Sequence, residues 1–171
     1  LHKANGGIVA IFDTPSLHPN LTVRQCLIHA LFLCNEPTRS PKEVEHLLGI
    51  TKFSHYKIKH LSLGNKRRAS IAQALLGSPK LIILDEPFNG LDAGGVDDVL
   101  ALIKDLNAQE GTSFILSSHQ LPYLESVCTH IAILHNGKIC ISDEISQLIS
   151  EEKLTVELKV GENATAIQII K

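Results

Sequence analysis

The sequence predicts an α/β fold with a mainly parallel core sheet and a helical insertion between strands. Two observations carry this. Short apolar runs (Ile8–Phe12, Leu81–Leu84, Ser113–Leu116, Ile131–Leu134) alternate with segments of helical period, the pattern that parallel sheets with crossover helices produce. The run Leu81–Leu84 is followed at once by two carboxylates, Asp85 and Glu86, where open α/β sheets place their ligands.

Taken in order, Ile8–Phe12 is a buried strand that stops at Asp13, Thr14 and Pro15. Residues 16–20 are a loop holding Pro19 and Asn20. Thr22 is placed to cap a helix whose apolar residues are Val23, Leu27 and Leu31. Pro37 and Pro41 break the chain, and Val44, Leu47 and Leu48 mark a second helix ending at Gly49. Leu61–Gly64 reads as a turn, followed by a helix over Lys66–Leu76 that Gly77 and Pro79 terminate. A stripe of Val96, Val99, Leu100, Ile103 and Leu106 defines a longer helix ending at Gly111. A short helix over Leu121–Val127 separates the last two core strands. Asn136-Gly137 joins two apolar runs and predicts a tight hairpin, because both turn positions need φ > 0. A helix is expected over 143–150, and alternation over Thr155–Val160 predicts a half-exposed strand. The tail from Leu154 to Ile170 reads as an edge strand or the start of a C-terminal extension.

With 171 residues and 44% hydrophobic content, the chain suits one domain with a real core. A net charge of −2 and 4% aromatics argue against nucleic acid as a partner. The four cysteines (Cys26, Cys34, Cys128, Cys140) form no C-x-x-C pair and are expected to be buried free thiols in a reducing compartment. No apolar run is long enough to span a bilayer, and no charged-then-apolar leader opens the chain. The chain begins at Leu1 and contains no Met, so Leu1 is expected to be an internal cut.

Three clusters carry chemistry. Asp85 at a strand end can hold Mg²⁺ through oxygen, and the neighbouring Glu86 can orient or deprotonate a water; a buried strand capped by solvated acids fits equally well. Leu61-Ser62-Leu63-Gly64-Asn65 precedes a helix, where a hydroxyl, a glycine and free N–H groups form an anion site, with Lys66, Arg67 and Arg68 adding charge. An ordinary Ser cap with a solvated basic turn explains the same residues. His119, after Ser117 and Ser118 at the end of the next strand, can donate to a phosphate, or is a satisfied surface histidine.

In this order and spacing the clusters resemble the ATP-binding-cassette (ABC) family, over about Ile8 to Gln147. Leu61–Asn65 resembles the signature LSGGQ, and Lys66–Pro87 the helix and Walker B strand that follow it. Asn89-Gly90-Leu91-Asp92 resembles the D-loop, His119 the switch histidine, and Ala132–Gly137 the strand and turn beyond it. The resemblance implies a P-loop NTPase-like sheet, with residues 20–72 as the helical subdomain and 73–150 as the catalytic core. It implies that Asp85 holds Mg²⁺, that Glu86 is the general base, that His119 contacts the γ-phosphate and that Asp92 organises a dimer interface. Ser62, Leu63, Gly64 and Asn65 would complete an ATP site on a second ATPase subunit in a head-to-tail dimer. ATP and Mg²⁺ are the implied cofactors. A membrane permease is the other implied partner, placing the protein on the cytoplasmic face of the cell membrane.

Departures from the pattern matter. These 171 residues contain no G-x-x-x-x-G-K-S/T, so the N-terminal strands and phosphate loop are expected to be missing and the isolated chain is expected to be inactive. Asp13 stands where the family usually has Gln, and Leu63 replaces the first signature glycine. Both departures are similar to cassettes of bacterial drug and bacitracin-type exporters. A soluble cassette ATPase of translation or DNA repair, or a degenerate non-enzymatic half-cassette, are the alternatives.

Overall fold

In the computed structural model, residues 7–14, 16–146 and 165–170 are described. Strand β1 (Ile8–Ile11) leads into three helices, α1 (Val23–Leu33), α2 (Pro41–Leu47) and α3 (Leu63–Leu75), with 3-10 turns at Thr51–Phe53 and Ile58–His60. Then come β2 (Leu81–Asp85), α4 (Ala93–Glu110), β3 (Ser113–Ser118), α5 (Leu121–Val127), β4 (His130–His135), β5 (Lys138–Glu144) and β6 (Thr165–Ile170). The helical insertion between β1 and β2 and the alternation from β2 to β4 match the sequence expectation.

Local chemistry fixes the helix ends. Thr22 and Gln25 form a capping box at α1, and Ser40 with Glu43 forms another at α2, where Pro41 takes the first turn. Gly49 and Gly111 end α2 and α4 in the left-handed region, at φ 65° in each case. Helix α3 begins at Leu63, three residues before Lys66, because Ser62 already accepts from Asn65 N and supplies the cap.

The sheet order is β1-β2-β3-β6-β4-β5. β1, β2 and β3 are parallel; β6 runs antiparallel to both β3 and β4, so β3 and β4 point the same way on either side of it. The tail strand 165–170 is therefore internal to the sheet, not at an edge as expected for the tail Leu154–Ile170. Thr155–Val160 lies outside the described residues. β4 and β5 form the expected hairpin, with Asn136 at φ 51° and Gly137 at φ 75°. β5 runs on to Glu144, so the helix expected over 143–150 starts no earlier than Ile145, and its part past residue 146 lies outside the described residues.

The core packs Ile82, Leu84, Phe114 and Leu116 of the sheet against Ile71, Leu75, Val99, Ile103 and Leu106 of α3 and α4, all 1% exposed or less. Each such side chain contributes about 1.5–3 kcal/mol on burial. The alternate burial along β2 and β3 leaves their C-terminal ends as the place where polar side chains gather.

Candidate functional site

Register builds the first half of the site. Ile11 pairs with Leu84, so Phe12 and Asp13 follow level with Asp85 and Glu86. Asp85 pairs with Ser117 on the other side. The carboxyl ends of three parallel strands therefore bring together Asp13, Asp85, Glu86, Ser117 and His119.

Ser117 Oγ donates to Asp85 Oδ1 at 2.6 Å, and Glu86 N donates to Ser117 O at 3.0 Å and to Ser117 Oγ at 3.2 Å. His119 Nδ1 lies 3.1 Å from Glu86 Oε2. Glu86 sits at φ 45°, in a left-handed conformation that a non-glycine residue holds only where its surroundings over-determine it. The surroundings here are the Ser117 contacts on its N–H, and Arg67 Nη2 (3.2 Å) and Asn89 N (3.2 Å) on its carbonyl. Phe88, 1% exposed and edge-on to Tyr123 at 5.4 Å, anchors the loop that follows.

Arg67 does not join the signature cluster, where the basic run suggested it would add charge. It lies four residues before Ile71 and so shares the buried face of α3. Its guanidinium, 1% exposed, donates from Nη1 to Phe12 O at 3.1 Å and approaches Asp13 Oδ1 at 3.6 Å. Burial pulls the pKa of Arg67 down from its ordinary value, and the charges of Asp13 and Asp85 oppose that.

The second half of the site lies at the N-termini of α3 and α4. Ser62, Leu63, Gly64 and Asn65 line a cavity of about 500 Å³ with Gly90, Leu91 and Asp92. Ser62 Oγ accepts from Asn65 N at 3.3 Å and from Asn65 Nδ2 at 3.0 Å, so both signature side chains are engaged in the cap. Asp92 caps α4, accepting from Gly95 N at 2.8 Å. Arg68 supplies the positive charge at this cavity, held by Asp98 at 3.0 Å and by Leu48 O at 2.9 Å. Residues 86–92 connect the two halves through turn bonds from Asn89 N to Glu86 O and from Leu91 N to Phe88 O. A larger cavity, about 750 Å³ between β1, α1 and α3, contains none of the candidate site residues.

Two functional candidates escaped the sequence reading. Ser117 was passed over in favour of His119, and only strand register shows it opposite Asp85. Arg67 was read as part of a solvated turn, although its spacing from Ile71 marks it as buried.

Among the described residues no cluster of three or more His, Cys, Asp or Glu side chains is placed to hold a metal alone. Asp85, Glu86 and Ser117 form an all-oxygen set. That set fits Mg²⁺, which takes one or two carboxylates and draws its remaining ligands from water and phosphate.

The architecture is an α/β cassette fold, with a helical insertion between the first two strands of its sheet. It matches an ATP-binding cassette protein, MJ0796, solved as a dimer bound to ADP and Pi (TM-score 0.70, 23% identity, 82% of this chain and 63% of that one). It also matches cbiO1 of Clostridium perfringens (TM-score 0.74, 24% identity, 88% and 62%). The ABC transporter family profile matches residues 1–89, and the chain belongs to that family. It is 36% identical to the ABC transporter ATP-binding protein YdbJ of Bacillus subtilis, over 95% of this chain and 53% of that protein. It is 31% identical to the bacitracin transport ATP-binding protein BcrA of Bacillus licheniformis, over 96% and 54%. The chain spans about half the length of the curated relatives it matches.

Proposed function

We propose that this chain is the signature and catalytic part of an ATP-hydrolysing subunit that drives a membrane transporter. The observation that carries the reading is the apposition of His119 and Glu86, 3.1 Å apart on neighbouring parallel strands, beside an Asp85 held by Ser117. The family membership and the bacitracin transporter among the relatives support transport as the coupled work. No helix among the described residues is long and apolar enough to cross a membrane. In this reading a permease subunit supplies the pathway.

In the mechanism, Asp85 with Ser117 would hold Mg²⁺, which would neutralise phosphate charge. Glu86 accepts the proton of the attacking water. His119, with Nδ1 3.1 Å from Glu86 Oε2, stands beside the base where its ring can donate to a phosphate oxygen. The cavity of Ser62, Leu63, Gly64 and Asn65 faces the nucleotide of a second subunit, with Asp92 shaping the contact between subunits and Asp13 facing the permease side. Residues 20–72 form the helical subdomain and 73–150 the core, which strand β6 (Thr165–Ile170) joins as an internal strand rather than as the extension expected over 151–171.

The test is ATP turnover by the native full-length protein. Wild type hydrolyses ATP, and Glu86→Gln binds ATP while losing at least about a hundredfold in kcat, the loss usual for a general base. Retention of turnover in Glu86→Gln would overturn the assignment.

A further inference from the structure

We infer that Arg67 is a positioning residue that ties the signature helix to the strained backbone of Glu86, so that both halves of the site move as one. This rests on the ATPase reading above. The same helix, α3, begins at the Ser62 cap and carries Arg67 one turn later. From there a single guanidinium binds Glu86 O at 3.2 Å and Phe12 O at 3.1 Å, and faces Asp13 at 3.6 Å. Three separate segments, β1's exit, β2's exit and α3, meet on one planar fork. The fork is buried to 1% exposure, so water cannot replace its bonds to the two carbonyls.

The geometry needs Arg. A lysine has a point charge and reaches one carbonyl, not two at fixed separation. Glu86 at φ 45° is also held from its N–H side by Ser117, but among the described residues its carbonyl has only Arg67 and the turn bond from Asn89. Without Arg67 the turn alone would hold that carbonyl, and the Glu86 carboxylate would lose its fixed place beside His119. A shift of α3, caused by what binds at Ser62–Asn65, is transmitted to Glu86 through the same fork. Arg67 touches no reacting atom; it acts through Glu86.

The experiment uses the native full-length protein with Arg67→Gln and Arg67→Lys, read by amide hydrogen exchange and by steady-state kinetics. In Arg67→Gln the amides of Glu86 and Asn89 should exchange at least about fivefold faster, while the interior amides of α3 keep their wild-type rates. The kcat should fall at least about tenfold with KM for ATP within about twofold. Arg67→Lys should recover part of both effects. Wild-type exchange at Glu86 and Asn89, or faster exchange spread evenly over α3 and the loop, overturns the positioning role. So does faster local exchange with kcat unchanged. Absence of ATP turnover in the wild type would instead sink the ATPase reading, and the exchange data would still decide whether Arg67 holds Glu86.

Discussion

Ser117 Oγ donates to Asp85 Oδ1 at 2.6 Å, across the parallel register that makes these residues partners on β3 and β2. The hydroxyl fixes which carboxylate oxygen stays free for a cation, and it also receives the Glu86 N–H. Ser117→Ala should therefore weaken apparent Mg²⁺ affinity in ATP turnover by about tenfold, the low end for loss of a partner that orients a metal ligand. Stability should change by only about 1 kcal/mol, because Asp85 is exposed and can turn to water. A Mg²⁺ titration of kcat at saturating ATP checks this. An unchanged half-saturation point would show that Asp85 needs no such orientation.

Glu45 is fully buried between α1 and α2. It accepts from Arg24 Nε at 2.6 Å, from Arg24 Nη2 at 2.5 Å and from Ser54 Oγ at 2.6 Å. Burial pushes its pKa up, but the bonds from Arg24 and Ser54 outweigh burial and hold the carboxyl below its ordinary range. A depressed folded pKa means that this group stabilises the fold above the unfolded pKa, about 4.3, and that the stabilisation is lost as pH falls through the folded value. Glu45→Gln should cost roughly 3 kcal/mol at pH 7, the low end for breaking a buried pair, since Arg24 can recover some water. Urea unfolding should show the wild type and variant converging as pH drops below about 4.3. A gap that stays constant with pH would mean that the charge is not what matters.

The four cysteines are free, but contrary to the expectation of buried thiols only Cys26 is buried; Cys34 and Cys128 are half-buried and Cys140 is exposed. Burial pushes the Cys128 thiol up to about 12, and it also raises Cys26, partly offset by its contact with His18 O. At pH 8 the Cys128 thiolate is then on the order of one molecule in 10⁴, and the thiolate is the reactive form. Alkylation of the native protein should label exposed Cys140 first and leave Cys26 and Cys128 unmodified until denaturant is added. Peptide mass spectrometry reads the order directly. Labelling of Cys128 at the rate of Cys140 under native conditions would contradict the burial.

What could be read from sequence was what is written locally. Leu81–Leu84 followed by Asp85 and Glu86 marks a strand and its ligand end within six residues. Asn136-Gly137 marks a hairpin because few other pairs tolerate two positive φ angles. The partnership of Ser117 with Asp85 is different, because it depends on register between strands 32 residues apart. Placing 165–170 between β3 and β4 is equally non-local, since an apolar tail marks a strand but not where it pairs. Arg67 shows a third kind of loss. Its neighbours Lys66 and Arg68 make a basic run that looks solvated, and only helical phase separates the buried cation from the other two.

Leu63, the residue in place of the first signature glycine, packs against Gly90 of the loop that leads to Asp92. A Cβ on Gly90 would meet Leu63 Cδ2 at 2.9 Å, and Gly90 itself sits at φ 69°. Gly90→Ala thus faces two penalties: left-handed strain of about 1 kcal/mol, and the displacement of Leu63. The second is relieved if the leucine is shortened. Gly90→Ala should lower stability by roughly 1–2 kcal/mol and disturb the cavity between α3 and α4. Leu63→Ala should restore part of the loss in the double variant, leaving the backbone strain. The coupling should be about 0.5 kcal/mol or more, as for residues in contact. A double-mutant cycle on urea unfolding measures it. Strict additivity would mean that Leu63 moves aside freely, and that the substitution of leucine for glycine in this signature does not fix the position of the Asp92 loop.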